Sequence, residues 1–335
     1  MPSVDAVIIG GGPAGLMAAG ALARRGLKVE CIDPAPGRPS PQSLHVHHVA
    51  ADSWAGVTTY LPGLTARLQA LGRSPDRADV DRCLADRLPR GVTLRRAGFR
   101  SARRHAAAWR VTLDTKETVS APILIDASGR YRRSLRAVAR HLGQPVPIDE
   151  GPASGCYRSC RIAADGTLWE ADTFRFSSPG GRTGVLGQRC GDGHWRLTLV
   201  THDGGPDAPW PTLLTLLPRA IRDPLAAMEP PRRWHRHGAQ KAGLLALDRT
   251  PAVEGWLPLG DALLTTAPYQ GQGITNALRQ VQALDRGAGS SGDVLDWQAA
   301  VFAVARRDWF RATLGDVLRQ CSRPRKPVAA HSETL

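Results

Sequence analysis

The stretch Val4–Asp33, VDAVIIGGGPAGLMAAGALARRGLKVECID, decides how the rest of the chain reads. Val4–Ile9 is a short apolar, β-branched run, the pattern of a strand buried on both faces. Gly10, Gly12 and Gly15 then spell G-x-G-x-x-G. From Pro13 to Arg25 the Ala and Leu density favours a helix, and Gly26 stands where a helix stops. Leu27–Ile32 reads as a second strand, closed by Asp33. The glycines of a dinucleotide cradle serve different ends. Gly10 permits the tight turn, Gly12 admits a pyrophosphate, and Gly15 lets helix and strand pack closely. Pro13 and Ala14 open the helix whose free N–H groups and partial positive charge face that pyrophosphate. Asp33 follows Gly15 by 18 residues, the place of a carboxylate that accepts from ribose hydroxyls. One G-x-G-x-x-G is weak, and its alternative is a turn with no ligand. Strand, helix, second strand and terminal acid in register point to a dinucleotide site.

Composition narrows the classes. At 335 residues and 42% apolar content, the chain can build one large domain or two modest ones. No stretch approaches the roughly 20 apolar residues of a membrane span. The first apolar run is a strand and Gly loop, not the core of a signal peptide, so a cytoplasmic location is expected. Six cysteines, at 31, 83, 156, 160, 190 and 321, form no C-x-x-C, so reduced thiols and no metal site are expected. The net charge is +14, and only four of the 44 basic residues are Lys. A solvated basic surface accounts for this. The sharper reading is attraction of an anionic partner: cofactor phosphates, an acidic substrate or an acidic protein. No basic motif with interleaved aromatics suggests nucleic-acid binding.

The order of segments suggests a discontinuous nucleotide domain. A Pro-rich loop follows Asp33, and "LPGLTARLQALG" and "SPDRADVDRCLADRLPRG" read as short helices. Val92–Ala121 reads as three strands, "VTLRRAGFRSA", "AWRVTLD" and "ETVSA". "PILIDASGR" is a buried strand ending in an acid and a Gly turn. From about Gly151, "GCYRSCRIA", "RTGVLGQRC" and "HWRLTLVTH" read as half-buried antiparallel strands. "GWLPLGDALLTTAPYQGQGITNALRQVQAL" returns to strand, loop and helix, and the tail is helical. The expected domains are 1–150 plus 243–288 for nucleotide binding and 151–242 for substrate. C-terminal helices span 289–325 and a flexible tail 326–335, with 41–74 contributing to the substrate side.

Two further signatures complete the first. Asp126-Ala127-Ser128-Gly129 closes a strand, and Gly260-Asp261 closes another, followed by Pro268 and the turn Gly271-Gln272-Gly273 at a helix start. A strand-end Asp can hydrogen-bond a sugar-alcohol chain. A Gly-rich helix start can place N–H groups where negative charge gathers.

With these three motifs in this order, the chain resembles the FAD-dependent monooxygenases of the para-hydroxybenzoate hydroxylase type. That class also contains epoxidases, flavin-dependent halogenases, geranylgeranyl reductases and tryptophan-hydroxylating maturases of quinone-cofactor amine oxidases. The resemblance spans Val4–Leu278 and is poorest in the middle. It implies an α/β fold: a Rossmann-like (GR2-type) FAD-binding domain with a β-meander and an inserted antiparallel substrate sheet. It assigns Gly10, Gly12, Pro13, Ala14, Gly15 and Asp33 to the ADP part, and Gly260 and Asp261 to ribityl and pyrophosphate. Pro268, Gly271, Gln272 and Gly273 go to the flavin ring, and Asp126 and Gly129 to the middle motif, which in hydroxylases also touches NAD(P)H. In "PQSLHVHHV" His45 and His47 take the two places of a family His-x-His, whereas Leu44 replaces an Arg that usually meets FAD. Asp81 stands where a second such Arg is expected, so Arg38, Arg77 or Arg82 are the candidate substitutes.

Three readings compete for His45, His47 and His48: a flavin-edge or substrate-pocket role, a structural role, and a metal site. No Cys, Asp or Glu nearby completes a metal site. Trp234–His237 reads as a surface strand or loop, and the nine Trp mostly as core.

The expected activity is NAD(P)H-dependent FAD monooxygenation, with O2 delivered through a flavin C4a-hydroperoxide to a small aromatic or alkene substrate. The alternatives are hydroxylation of a tryptophan in an acidic protein or peptide and a reductase of the geranylgeranyl type. Halogenation is disfavoured because G-W-G-W-x-I-P and its active-site Lys are absent. A non-catalytic flavin module fits poorly with three intact motifs.

Overall fold

The computed structural model describes residues 4–46, 51–71, 75–84, 88–153, 155–163, 172–178, 183–201, 207–238, 241–266, 272–290 and 292–321. In chain order the elements begin with β1 (Ala6–Ile9), α1 (Pro13–Arg24) and β2 (Val29–Asp33). α2 (Ala51–Tyr60), α3 (Leu64–Gln69) and α4 (Arg77–Leu84) then lead to β3 (Val92–Arg96). β4 (Phe99–His105), β5 (Ala108–Leu113), β6 (Thr118–Ala121), β7 (Ile123–Asp126) and α5 (Leu135–Leu142) follow. Next come β8 (Ile148–Ala153), β9 (Cys156–Ala163), β10 (Thr173–Ser177), β11 (Thr183–Arg189) and β12 (His194–Thr201). The remainder is α6 (Pro209–Thr215), α7 (Arg219–Ala226), β13 (His235–His237), β14 (Lys241–Leu245), β15 (Trp256–Pro258), β16 (Leu264–Thr265), α8 (Gly273–Ser290) and α9 (Val294–Cys321).

The fold is mixed α/β. A parallel five-stranded sheet has the order β15-β7-β1-β2-β3. Its registers align the carboxyl ends: Ile9 pairs with Ile32 and Asp126, and Pro258 pairs with Asp126. The Gly loop, Asp33, the Asp126 turn and Gly260-Asp261 therefore emerge along one edge, where open parallel sheets bind ligands. β1 is fully buried, and α1 buries Gly15 through Leu22 against it. Its Ala and Gly density makes that approach close. Trp109 and Trp256 belong to this core. Each donates its indole N–H, to the Glu254 carbonyl at 3.2 Å and to Ser134 Oγ at 3.0 Å.

The run read as one strand, "VTLRRAGFRSA", is two. β3 joins the parallel sheet beside β2, and β4 starts the antiparallel sheet β4-β5-β6. Ala97 turns the chain between them, its N–H bonding to the Asp33 carbonyl at 3.1 Å. The alternation of Val92 and Leu94 stops at Arg95-Arg96, and Phe99 resumes it in the other phase, the local mark of this corner.

A second five-stranded sheet, β10-β11-β12-β9-β13, is antiparallel. One face carries Cys160, Ile162, Phe174, Val185, Trp195, Leu197 and Leu199 and packs on Trp210 and Leu213 of α6 and Ile221 and Leu225 of α7. On the opposite face, register lines up Val200 with Tyr157 and His237, Thr198 with Ser159 and His235, and Arg196 with Gln188. Segments 45–46 and 75–76, which lie between β2 and β3, contact this polar face: Gln188 Nε2 donates to the Pro75 carbonyl at 3.0 Å. Of Trp234–His237, read as a surface strand or loop, His235–His237 form the edge strand β13, with Arg236 exposed and both histidines half-buried on the polar face. No helix among the described residues is long and apolar enough to cross a membrane.

Candidate functional site

The site begins at the turn after β1. Gly10 has φ +107, and a side chain there or at Gly15 would overlap backbone carbonyls, of Ala127 and Gly10 respectively. Gly12 differs: a Cβ there meets nothing within 4 Å. It is the N-cap of α1, in extended conformation, and no side chain caps the helix. The first-turn N–H groups, including those of Ala14 and Gly15, lack intrahelical partners and face this open space as an anion cradle.

Asp33 stands beside the loop. Its Oδ2 accepts from the Gly11 N–H at 2.8 Å and its Oδ1 from the Ala35 N–H at 2.8 Å. Each oxygen keeps a second acceptor position for a ribose hydroxyl.

Gly260 and Asp261 close the site from the other side. Gly260 has φ +61, and a Cβ there would lie 2.7 Å from the Ala14 Cβ, so the third motif packs directly on the first. Its N–H is held by Gln280 Oε1 of α8 at 2.7 Å. Asp261 is half-buried, and among the described residues its carboxylate accepts no hydrogen bond. Burial pushes its pKa up, while Arg77, Arg132 and Arg130 oppose the shift. An ionisable acceptor without donors, at the mouth of an uncapped helix, fits the hydroxyls of a ribityl chain.

Asp126 is placed differently from a cofactor ligand. Only 1% exposed, it accepts from Ser128 N–H (3.0 Å), Ser128 Oγ (2.6 Å), Ser134 N–H (2.8 Å) and Ser134 Oγ (2.6 Å). Its carboxylate closes its own loop, and any contact with a ligand from this motif is left to the backbone around Gly129, which has φ +67. Arg132, which sequence reasoning did not single out, ties this loop to the third motif. Its Nε donates to the Ala262 carbonyl at 3.0 Å. Burial lowers its pKa, and Asp261 and Asp126 raise it. The G-R-Y-R-R run after Asp126 was its only sign, and five arginines between 130 and 140 hid it.

Of the three candidate substitute arginines, Arg77 alone is drawn into the site. Its Nε donates to Asp81 Oδ1 at 2.7 Å and its Nη1 to Gln42 Oε1 at 3.0 Å. Asp81 also accepts from the Ser40 N–H at 2.9 Å, which pins the loop after β2. Arg38 is exposed, and Arg82 pairs with Asp79 at 2.7 Å. Leu44 is exposed. Gln272 and Gly273 open α8, whereas His47, His48, Pro268 and Gly271 lie outside the described residues.

His45 lies on the polar face of the antiparallel sheet. Its Nδ1 is 2.7 Å from Ser159 Oγ, which is 2.7 Å from Thr198 Oγ1. Its ring meets the edges of His237 (5.5 Å) and Tyr157 (6.4 Å). Burial, then His237, His235 and Arg196, lowers its pKa to about 4, so it is neutral at pH 7. No group of three potential metal ligands forms among the described residues.

A parallel sheet joined to an antiparallel sheet is the fold shared with solved FAD-dependent monooxygenases, as comparison with known structures shows. PqsL of Pseudomonas aeruginosa, described as a probable FAD-dependent monooxygenase, is one neighbour. Its complex with 2-aminobenzoylacetate has a TM-score of 0.71 at 17% identity, over 95% of this chain and 96% of that one. The flavin-dependent brominase Bmp2 matches with TM-score 0.66 at 16% identity, over 94% of this chain and 86% of its own. The peptidyl tryptophan dihydroxylase QhpG matches with TM-score 0.63 at 19% identity, over 97% and 77%. The family model described as lycopene cyclase protein matches residues 5–152. No curated protein matches the sequence.

Proposed function

We propose that this chain is an FAD-dependent monooxygenase, reduced by NAD(P)H, that hydroxylates or epoxidises an electron-rich organic substrate. The observation that carries the reading is the Asp261 carboxylate, without a hydrogen-bond donor among the described residues, on a turn packed against Ala14 at the uncapped start of α1. Gly12 and the N–H groups of Ala14 and Gly15 would hold the FAD pyrophosphate, Asp33 the adenosine ribose and Asp261 the ribityl hydroxyls. When bound, the flavin supplies the redox chemistry that hydride from NAD(P)H and O2 complete. The chain's residues bind, orient and screen. Arg77, Arg130 and Arg132 set a positive field around Asp261. The polar face bearing His45, Tyr157 and His237 forms the wall on the substrate side. No nucleophile or triad is required.

One other reading has support. QhpG's printed activity and the +14 charge favour a tryptophan in an acidic peptide as the substrate. Bmp2 shares the fold, but the halogenase motif is missing from this sequence. A reductase on the same fold would transform its substrate without O2.

The test is an anaerobic titration of the FAD-loaded protein with NADH and with NADPH, followed by admission of O2 with candidate substrates. Bleaching of the oxidised flavin band and O2-dependent product formation support the reading. Product formed without O2 replaces it with the reductase. Failure to retain FAD at all removes the flavin assignment.

A further inference from the structure

The hydroxyl chain behind His45 has only one arrangement of protons that satisfies every buried group. The Val46 N–H donates to Thr198 Oγ1 at 3.0 Å, so that oxygen is already an acceptor. Thr198 is fully buried, and its own hydroxyl proton has one acceptor among the described residues, Ser159 Oγ at 2.7 Å. Ser159, also fully buried, then directs its proton to His45 Nδ1 at 2.7 Å. The reverse order would leave the Thr198 proton buried without a partner, which folded proteins avoid. His45 Nδ1 is therefore the acceptor, and the ring's proton sits on Nε2.

The surroundings say what that proton is for. The Nδ1 end is anchored to the sheet, and the ring stands against the edges of His237 and Tyr157, which face each other across β13 and β9. Arg196 lies on the same sheet face. It is 7% exposed, and its Nε and Nη1 have no hydrogen-bond partner among the described residues. Its charge is met by the buried Asp76 carboxylate, whose Oδ2 lies 3.5 Å from Nη1 in an ion pair. The wall combines aromatic edges, a fixed neutral donor and a buried ion pair, Arg196–Asp76.

We propose that Thr198 and Ser159 lock His45 as an Nε2–H donor, and that this donor binds an aromatic substrate through an anionic or carbonyl oxygen. The inference rests on the flavin reading above, because it takes the polar face as the substrate side. Ser159 and Thr198 are positioning residues that act through His45.

The tautomer is read directly by long-range proton–nitrogen NMR of the FAD-loaded protein with nitrogen-15 histidine, using His45→Gln to assign the signal. Wild type and Thr198→Ser, which keeps the hydroxyl, are expected to show an unprotonated Nδ1 and a protonated Nε2 at pH 7. Ser159→Ala removes the partner and is expected to show mixed tautomers. Benzoate and toluene then serve as probes, read by perturbation of the flavin band. Benzoate is expected to bind more tightly than toluene, and His45→Gln to weaken benzoate about tenfold while flavin content stays normal. A wild-type Nδ1–H tautomer, a tautomer unmoved by Ser159→Ala, or benzoate binding no tighter than toluene overturns the proposal. Loss of FAD from wild type would instead remove the flavin reading, and the tautomer is then read on the FAD-free protein, where the same outcomes decide the lock on His45.

Discussion

Gly12 and Gly15 sit three residues apart in one motif, yet substitution by Ala should act on them in opposite ways. At Gly15 a Cβ would overlap the Gly10 carbonyl oxygen and press on Ala127. Helix and strand would have to separate, which costs about 3–5 kcal/mol for overpacking against backbone. At Gly12 the backbone has φ −79 and ψ −177, open to any residue, and the added methyl meets nothing within 4 Å. The folded protein should lose only about 0.5–1 kcal/mol there, because Ala is a poorer N-cap than Gly. The open space is where an anion would approach the helix N-terminus. A methyl group there displaces the pyrophosphate from one or two charge-assisted hydrogen bonds. At about 3 kcal/mol in all, the FAD dissociation constant should rise roughly a hundredfold. Thermal unfolding of the FAD-free proteins by circular dichroism reads the first effect, and quenching of flavin fluorescence on titration reads the second. Gly12→Ala should melt near wild type and bind FAD poorly, whereas Gly15→Ala should melt early. A Gly12→Ala protein that binds FAD as wild type does would refute the pyrophosphate cradle.

Asp261→Asn should leave the FAD-free protein as stable as wild type or slightly more so, because a desolvated carboxylate without donors is removed. The same variant should weaken FAD binding, which equilibrium dialysis measures, and unchanged affinity would exclude the ribityl contact. Asp126→Ala should behave in the reverse sense. Four donors lose their acceptor, at about 3–5 kcal/mol in all, so Tm should fall by about 4–7 °C for a chain of this length. His45 is held at about 4 against an unfolded value near 6.5, so the unfolded chain binds the extra proton first. Its contribution is complete above pH 6.5 and is lost as pH falls towards 4. With solvent screening it amounts to about 1–2 kcal/mol, read as the difference between wild type and His45→Gln in urea unfolding across that window. Burial is the largest cause of that shift, and the charges of His237, His235 and Arg196 add to it.

The parallel-sheet half of the molecule was legible from local pattern. A strand that must be buried on both faces reads as a continuous apolar run, and a turn that must approach backbone reads as glycine. The first motif and the α/β class could therefore be taken from Val4–Asp33 by itself. The Gly260-Asp261 segment could also be marked in advance, because a strand-end Gly-Asp is a local feature. The division of labour among acids could not. Asp33, Asp126 and Asp261 all stand at strand ends. Only the fold fills the Asp126 carboxylate with serine donors, gives Asp33 two backbone N–H groups and leaves Asp261 without a donor among the described residues.

The antiparallel sheet's polar face depended on pairings between residues far apart in the chain. Ser159 is 114 positions from His45, and Thr198 is 152 positions from Val46. Alternation marks which residues of a strand share a face, but which strand lies beside which is set by sheet register. β13 illustrates the point: its two histidines read as surface until register placed them opposite Ser159 and Tyr157. Likewise Arg77, Arg38 and Arg82 were equivalent as sequence. The Asp81 carboxylate, holding both Arg77 and the Ser40 N–H, selects Arg77 for the neighbourhood of Asp261. Sequence alone determined the glycine turn and helix start proposed as the cradle, because they are built from consecutive residues. Tertiary structure decided which acid is left without a donor and which way His45 carries its proton. Both follow from hydrogen-bond partners brought together only when the sheets close on each other.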